Sequence, residues 1–426
     1  MELIVEKTER LEGEIVIPGS KSHTIRAVII ASLAKGASKI IKALKSEDTM
    51  AVVNACSALG AKIDTSNEDM WIVEGFGHEP KNPQTTLNMA NSGTSLRLIT
   101  AIVAALCDSE VRLDGDESLR KRPMQPLLNS FNDLGAEALS IKNDGCCPVK
   151  IKGRMTGGST KITGITSQYI SSLLLACPLL EKDSRINVIE PNETPYIRMT
   201  LKWLDEQGIR YEASDDLTKF IIYGNQRYKA FEKRIPADWS SATFPIVGAA
   251  VTDSDVLIKG LQISDVQGDK AIIEYLKKMQ ADISMEEAGI RIKGRPLQGT
   301  GLDLNDTPDA LPALAVLGCF ADGATSLKNV EHARIKETDR ITIMKQELSR
   351  LNADISESED GLVIHKSELK ANNVKGHHDH RIVMALSLAG LIANGKTEIT
   401  TAEAIKVTYP DYVRSMKSLG AKMEVT

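Results

Sequence analysis

Basic and small polar side chains recur in this sequence immediately before apolar, helix-like runs. "GSKSHTIR" (19–26) precedes "AVIIASLA", "NSGTSLR" (91–97) precedes "LITAIVAAL", and "TSQYIS" (166–171) precedes "SLLLA". In the second half "ADWSSAT" (237–243), "NDTPDALPA" (305–313) and "HHDHR" (377–381) stand in the same place. Ser, Thr, Asn and Asp are good helix N-caps, so each cluster marks a helix start. Helix N-termini attract anions through their free N–H groups and the macrodipole. Lys21, Arg26, Arg97 and Arg381 add full charges at or near such ends, and Arg122 in "RKRPMQPL" and the run "ARIKETDR" (333–340) add more. A charge-assisted contact to phosphate or carboxylate contributes about 1.5–3 kcal/mol. So many cations imply one polyanionic small substrate or two anionic ones. Asp309, Glu337 and Asp339 lie among these bases. A carboxylate beside Lys and Arg stays ionised and can take a proton from a hydroxyl, which points to proton transfer on a phosphorylated or carboxylated substrate.

Two other readings of these clusters are weaker. "GSKS" looks like the tail of a nucleotide-binding P-loop, but Ile15 stands where that loop needs its first Gly. His377, His378 and His380 in "HHDHR" could ligate a metal, yet no second His or Cys cluster supplies further ligands. His23 is expected to have no catalytic role, and Trp239 is expected to pack.

Composition narrows the class. The net charge is −5, so a general nucleic-acid binder, which needs a basic surplus, is not expected. The Met1 end carries acids and no apolar core, so no signal peptide is expected, and no apolar run reaches membrane-helix length. The six Cys include no CxxC pair and read as idle thiols of a cytoplasmic protein.

The clusters are positioned by a repeat. A helix end, a tight turn and a strand recur as "ALGAKID", "DLGAEAL", "EQGIRYE", "KMQADIS", "RLNADIS" and "SLGAKME". The residues after the turn are 61, 136, 209, 281, 353 and 421, spaced 68 to 75 apart. Between these copies run apolar helices followed by alternating strands, which argues for an α/β class. The apolar helices look buried all round, with sheets outside them, as in an inverted barrel. The polar stretch 223–242 breaks the pattern after the third unit. The expected organisation is two domains of three repeats: 18–234, inserted into a discontinuous domain of 1–17 plus 235–426.

Eight phrases, "PGSKSHTIRA", "NSGTSLR", "DGDESLRKRPMQPL", "TSQYISSLLLA", "DLNDTPDALP", "RIKETDR", "DHRIVMA" and "YPDY", occur in an order and spacing that resemble the 5-enolpyruvylshikimate-3-phosphate synthase family over essentially the whole chain. The resemblance implies two inside-out α/β barrel domains closing on a ligand cleft between them. It implies transfer of the enolpyruvyl group of phosphoenolpyruvate to the 5-hydroxyl of shikimate 3-phosphate, through a tetrahedral intermediate. No metal or organic cofactor is implied, and a monomer is expected. By resemblance Lys21 touches both substrates and counts as catalytic, while Ser22 and Arg26 hold shikimate 3-phosphate. Asn91, Gly93 and Arg122 face phosphoenolpyruvate, and Arg97 belongs to the substrate-binding set. Thr166, Ser167 and Gln168 line the shikimate phosphate pocket, with Tyr196 nearby. Asp309 is the expected proton acceptor and Glu337 the candidate donor to the methylene carbon. Lys336 binds shikimate 3-phosphate, Arg340 and Arg381 clamp phosphoenolpyruvate, and His380 and Lys406 complete the substrate-binding set.

The chain departs from the family pattern at four places. Glu193 stands where Ser is common, and its charge would repel a substrate phosphate. His332 takes the place of an Asn, and Leu98 that of a Pro. Lys406 lies one residue further from Pro410 than the family's late Lys. Two other functions remain open: the sister enolpyruvyl transferase acting on UDP-N-acetylglucosamine, which usually carries a loop Cys that "LRKRP" lacks, and a non-catalytic anion binder.

Overall fold

The turn that ends each repeat is left-handed in all six copies. Gly60, Gly135, Gly208, Asn352 and Gly420 have positive φ there, and Gln280 takes the same conformation at φ 62°. This geometry caps the last carbonyls of a helix and redirects the chain into a strand. The computed structural model describes residues 1–83 and 85–426. It divides into two compact units, residues 19–235 and residues 1–18 with 236–426.

Each repeat builds the same four-stranded sheet. In the first, Lys35–Ile41 runs parallel to Glu232–Arg234 and antiparallel to Met70–Phe76, which in turn pairs with Lys62–Asp64. The other five sheets among the described residues keep this order of one parallel pair followed by two antiparallel pairs. Two of them are completed by the start of the chain. Glu2–Glu6 lies between Lys396–Thr400 and Met423–Val425, with Leu3 opposite Ile399. Glu12–Val16 lies parallel to Asp255–Lys259.

Residues 19–235 contain helices α1 (Lys21–Leu33), α2 (Glu47–Ala58), α3 (Gly93–Leu106), α4 (Gln125–Asp133), α5 (Ser167–Ala176) and α6 (Thr194–Gln207). The other unit contains α7 (Trp239–Val251), α8 (Ile272–Lys278), α9 (Leu311–Phe320), α10 (Arg340–Arg350), α11 (His380–Ile392) and α12 (Tyr412–Ser418). The odd-numbered helices are the apolar ones. Every residue of α7 is buried, and α11 is buried from His380 to Leu391. Within their units α1 meets α3 and α3 meets α5, while α7, α9 and α11 all touch one another. The sheets pack outside them, giving two inside-out α/β units. A buried Leu, Ile or Val side chain contributes about 1.5–3 kcal/mol, so these inner helices carry much of the drive to fold. The even-numbered helices bury one face. In α6 that face is Ile197, Thr200, Leu201, Trp203 and Leu204, set against α5.

All six cysteines are free thiols and five are buried. Burial pushes the thiols of Cys56, Cys177 and Cys319 up to about 12. Among the described residues no helix is long and apolar enough to cross a membrane.

Candidate active site

Five of the six inner helices start on a side-chain cap. Ser20 accepts from His23 N at 3.5 Å, Ser92 from Ser95 N at 3.3 Å and Thr166 from Gln168 N at 3.4 Å. Asp238 accepts from Ser240 N at 3.0 Å and Asp379 from Arg381 N at 2.9 Å. The fifth helix, α9, differs from the sequence expectation. It follows a 3₁₀ turn, Pro308–Ala310, and has no side-chain cap. Pro308 and Pro312 lack the N–H groups a cap would satisfy. Asp309 instead points its carboxylate at cations.

In residues 19–235 the starts of α1, α3 and α5 share a polar network. Lys21 Nζ lies 3.0 Å from Asp48 Oδ2 in the first turn of α2. Arg26 is 2% exposed and reaches four groups. Its Nε donates to Thr200 Oγ1 (2.9 Å), Nη1 to the Ser22 carbonyl (3.0 Å), and Nη2 to Ser171 Oγ and the Tyr196 carbonyl (both 3.2 Å). Burial pulls its guanidinium down to about 10, opposed by Tyr196. Arg97 donates to Gln168 Oε1 (2.6 Å) and the Pro123 carbonyl (3.1 Å), and it covers the Tyr169 ring. Arg122 clasps Asn91, donating to its carbonyl (3.1 Å) and its Oδ1 (2.8 Å). Gly93 makes this convergence possible. A Cβ at that position would sit 2.7 Å from Arg97 Nη1 and 3.1 Å from Arg122 Nη1. Thr166 and Ser167, at the start of α5, both donate to Glu193.

In the other unit, Asp309 is bracketed by two guanidinium groups. Arg340 Nη1 donates to Oδ1 at 2.7 Å, and Arg381 Nη2 lies 2.9 Å from Oδ2. Burial alone would raise the Asp309 carboxyl, but Arg381, Arg340 and Lys336 hold it far below the usual carboxylate range. Arg340 is fully buried and also meets Glu337 Oε2 at 2.5 Å and both oxygens of Asp379 at 2.8 and 3.1 Å. Burial would lower its guanidinium, and the three carboxylates together keep it raised and charged. The cluster is therefore three carboxylates set against Arg340, Arg381 and Lys336.

Within the first unit the structure joins Arg97 to Gln168, Arg122 to Asn91, and Arg26 to Ser22 and Tyr196. Within the second it joins Asp309, Glu337, Arg340 and Arg381, with Lys336 close enough to lower the Asp309 carboxyl. His380 is buried at the start of α11. Lys406 is exposed on the short turn Ala402–Val407. Asp339 does not join the acidic group. It caps α10 and pairs with Arg334 at 2.9 Å, because an N-cap side chain must face its own helix. The histidines of "HHDHR" do not converge. His377 meets Glu347 at 2.8 Å, while the His378 side chain is 74% exposed. Three partners escaped the sequence reading: Asp48 at Lys21, Asp379 at Arg340, and Glu193 at Ser167. Each is joined to its partner by folding, and no local spacing signals it.

Residues 5–416 match the family described as EPSP synthase (3-phosphoshikimate 1-carboxyvinyltransferase). The chain is 49% identical, over the full length of both, to a 3-phosphoshikimate 1-carboxyvinyltransferase of Ruminiclostridium cellulolyticum. It is 44% identical to one of Methanocaldococcus jannaschii, with 99% of each chain covered. A solved EPSP synthase from Acinetobacter baumannii matches all of this chain and 99% of its own, with TM-score 0.84 and 28% identity. With the repeat, the two inside-out units and the cation cluster in each, these matches place the chain in the EPSP synthase family.

Proposed function

We propose that this chain transfers the enolpyruvyl group of phosphoenolpyruvate to the 5-hydroxyl of shikimate 3-phosphate. In this reading Arg26, Ser22, Thr166, Ser167, Gln168 and Tyr196 hold shikimate 3-phosphate, joined by Lys336. Asn91, Gly93 and Arg122 receive phosphoenolpyruvate, Arg340 and Arg381 clamp it, and Arg97, His380 and Lys406 contribute to substrate binding. Lys21 serves both. The hydroxyl oxygen attacks C2 of the enolpyruvyl group and loses its proton to Asp309. The methylene carbon gains a proton from Glu337. A proton of the resulting methyl group then returns to Glu337 as the C2–O bond to phosphate breaks, which restores the double bond, and the proton held by Asp309 leaves with the phosphate.

The observation that carries the reading is Asp309 between Arg340 and Arg381. In the free protein these cations keep it ionised but weakly basic. An anionic substrate that draws on Arg381 removes part of that counter-charge, and the proton affinity of the carboxylate cluster rises. Substrate binding thereby makes Asp309 a better base. Prearranged cations stabilise the charged intermediate without reorganising.

The test is Asp309→Ala. Turnover is expected to fall by about a thousandfold or more, while shikimate 3-phosphate still binds. Wild-type rates in that variant would remove Asp309 from the mechanism.

A further inference from the structure

Glu193 is seated as a bound anion would be. It is 2% exposed. A single carboxylate oxygen, Oε2, accepts from Ser167 N at 3.0 Å, Ser167 Oγ at 2.7 Å and Thr166 Oγ1 at 3.2 Å. All three donors stand at the first turn of α5, where free N–H groups and the helix dipole favour negative charge. Arg97, whose guanidinium Glu193 helps to keep charged, adds to the same field. The backbone beneath is held in place. Glu193 is left-handed at φ 54° as the N-cap of α6, and its carbonyl accepts from Tyr196 N at 3.0 Å. A residue with a Cβ rarely takes this conformation, and the bonds to Ser167 and Thr166 tie its side chain down.

We propose that Glu193 is a built-in competitor for the phosphate of shikimate 3-phosphate: its carboxylate fills the Thr166–Ser167 seat in the free protein, and the substrate's phosphate binds by displacing it. The inference rests on the role proposed above for Thr166 and Ser167. A phosphate monoester brings up to two charges and three terminal oxygens to the same donors. The two anions cannot share them, because each hydroxyl or amide hydrogen makes one strong bond and like charges at that distance repel. The side chain alone has to move, by rotation about its own bonds, so the α6 turn keeps its conformation. Glu193 therefore acts on specificity. It weakens binding of the phosphorylated ligand and leaves a ligand without phosphate nearly untouched.

Calorimetric titration with shikimate 3-phosphate and with unphosphorylated shikimate tests this on wild type, Glu193→Gln, Glu193→Ser and Ser167→Ala. Serine covers the case in which glutamine disturbs the left-handed turn. Both Glu193 variants are expected to bind shikimate 3-phosphate about tenfold tighter or more, with shikimate affinity little changed. Ser167→Ala is expected to weaken shikimate 3-phosphate. Unchanged or weaker binding of shikimate 3-phosphate in the Glu193 variants, or an equal shift for both ligands, would overturn the proposal. If Ser167→Ala weakens the phosphorylated ligand while neither Glu193 variant tightens it, only the competitor falls. If Ser167→Ala leaves it unchanged, the phosphate seat is misassigned and both readings fall.

Discussion

Arg340 shows how single residues hold this site in shape. A buried guanidinium is costly to desolvate, and it is stable here because Asp379, Asp309 and Glu337 all face it. Asp379 is the structural partner of the three: it takes two of the Arg340 N–H groups and caps α11 as well. Burial would raise its carboxyl, and Arg340 holds it below the usual range instead. A depressed carboxyl contributes stability that is fully present above the unfolded value of about 4 and is lost as pH falls through the folded one. Asp379→Asn should therefore destabilise the protein by about 3 kcal/mol at pH 7, with the gap to wild type narrowing below about pH 4. Urea unfolding of both proteins across that range checks this, and a constant gap would contradict it. At this scale the cations were legible in the sequence because each stands near a helix cap. Their counter-ions were not. Lys21 meets Asp48, and Arg340 meets Asp379, only once the helices pack.

Elements meet closely where helices end against strands. Gly75, in Met70–Phe76, passes beneath the end of α1, and a Cβ there would sit 2.1 Å from the Ala34 carbonyl oxygen and 2.4 Å from that of Ala31. Those atoms are backbone and cannot swing aside. Gly75→Ala is expected to cost about 2–4 kcal/mol and lower the melting temperature, without changing which substrates bind. A melting temperature equal to wild type would show that helix and strand are less tightly set. The element types were legible because the inner helices are apolar on every side and the turns carry Gly or Asn in five of six copies. The sixth, Gln280, took the left-handed turn without the expected residue, since the repeat's packing imposes it. The missing cap of α9 was also not legible. "NDTPDALPA" offers Asp and Thr as caps, and its two prolines redirect the chain into a 3₁₀ turn before the helix begins.

Across the whole molecule a mildly acidic protein concentrates cations at helix starts. The net charge of −5 gives no general attraction for anions, so affinity for two anionic substrates has to come from local groups. The helix starts supply those groups: Lys21 and Arg26 in α1, Arg97 in α3, Arg340 in α10 and Arg381 in α11. Length, repeat spacing and helix–strand alternation carried the class of the fold. The strand pairings between the first residues and the last were beyond a local pattern, as with Glu2–Glu6 beside Lys396–Thr400. The central claim is enolpyruvyl transfer to shikimate 3-phosphate. Its most direct test is phosphate release from phosphoenolpyruvate, measured with shikimate 3-phosphate and, separately, with UDP-N-acetylglucosamine as acceptor. Release with shikimate 3-phosphate alone is the predicted result. Release only with the sugar nucleotide, or with neither acceptor despite tight binding, would contradict it.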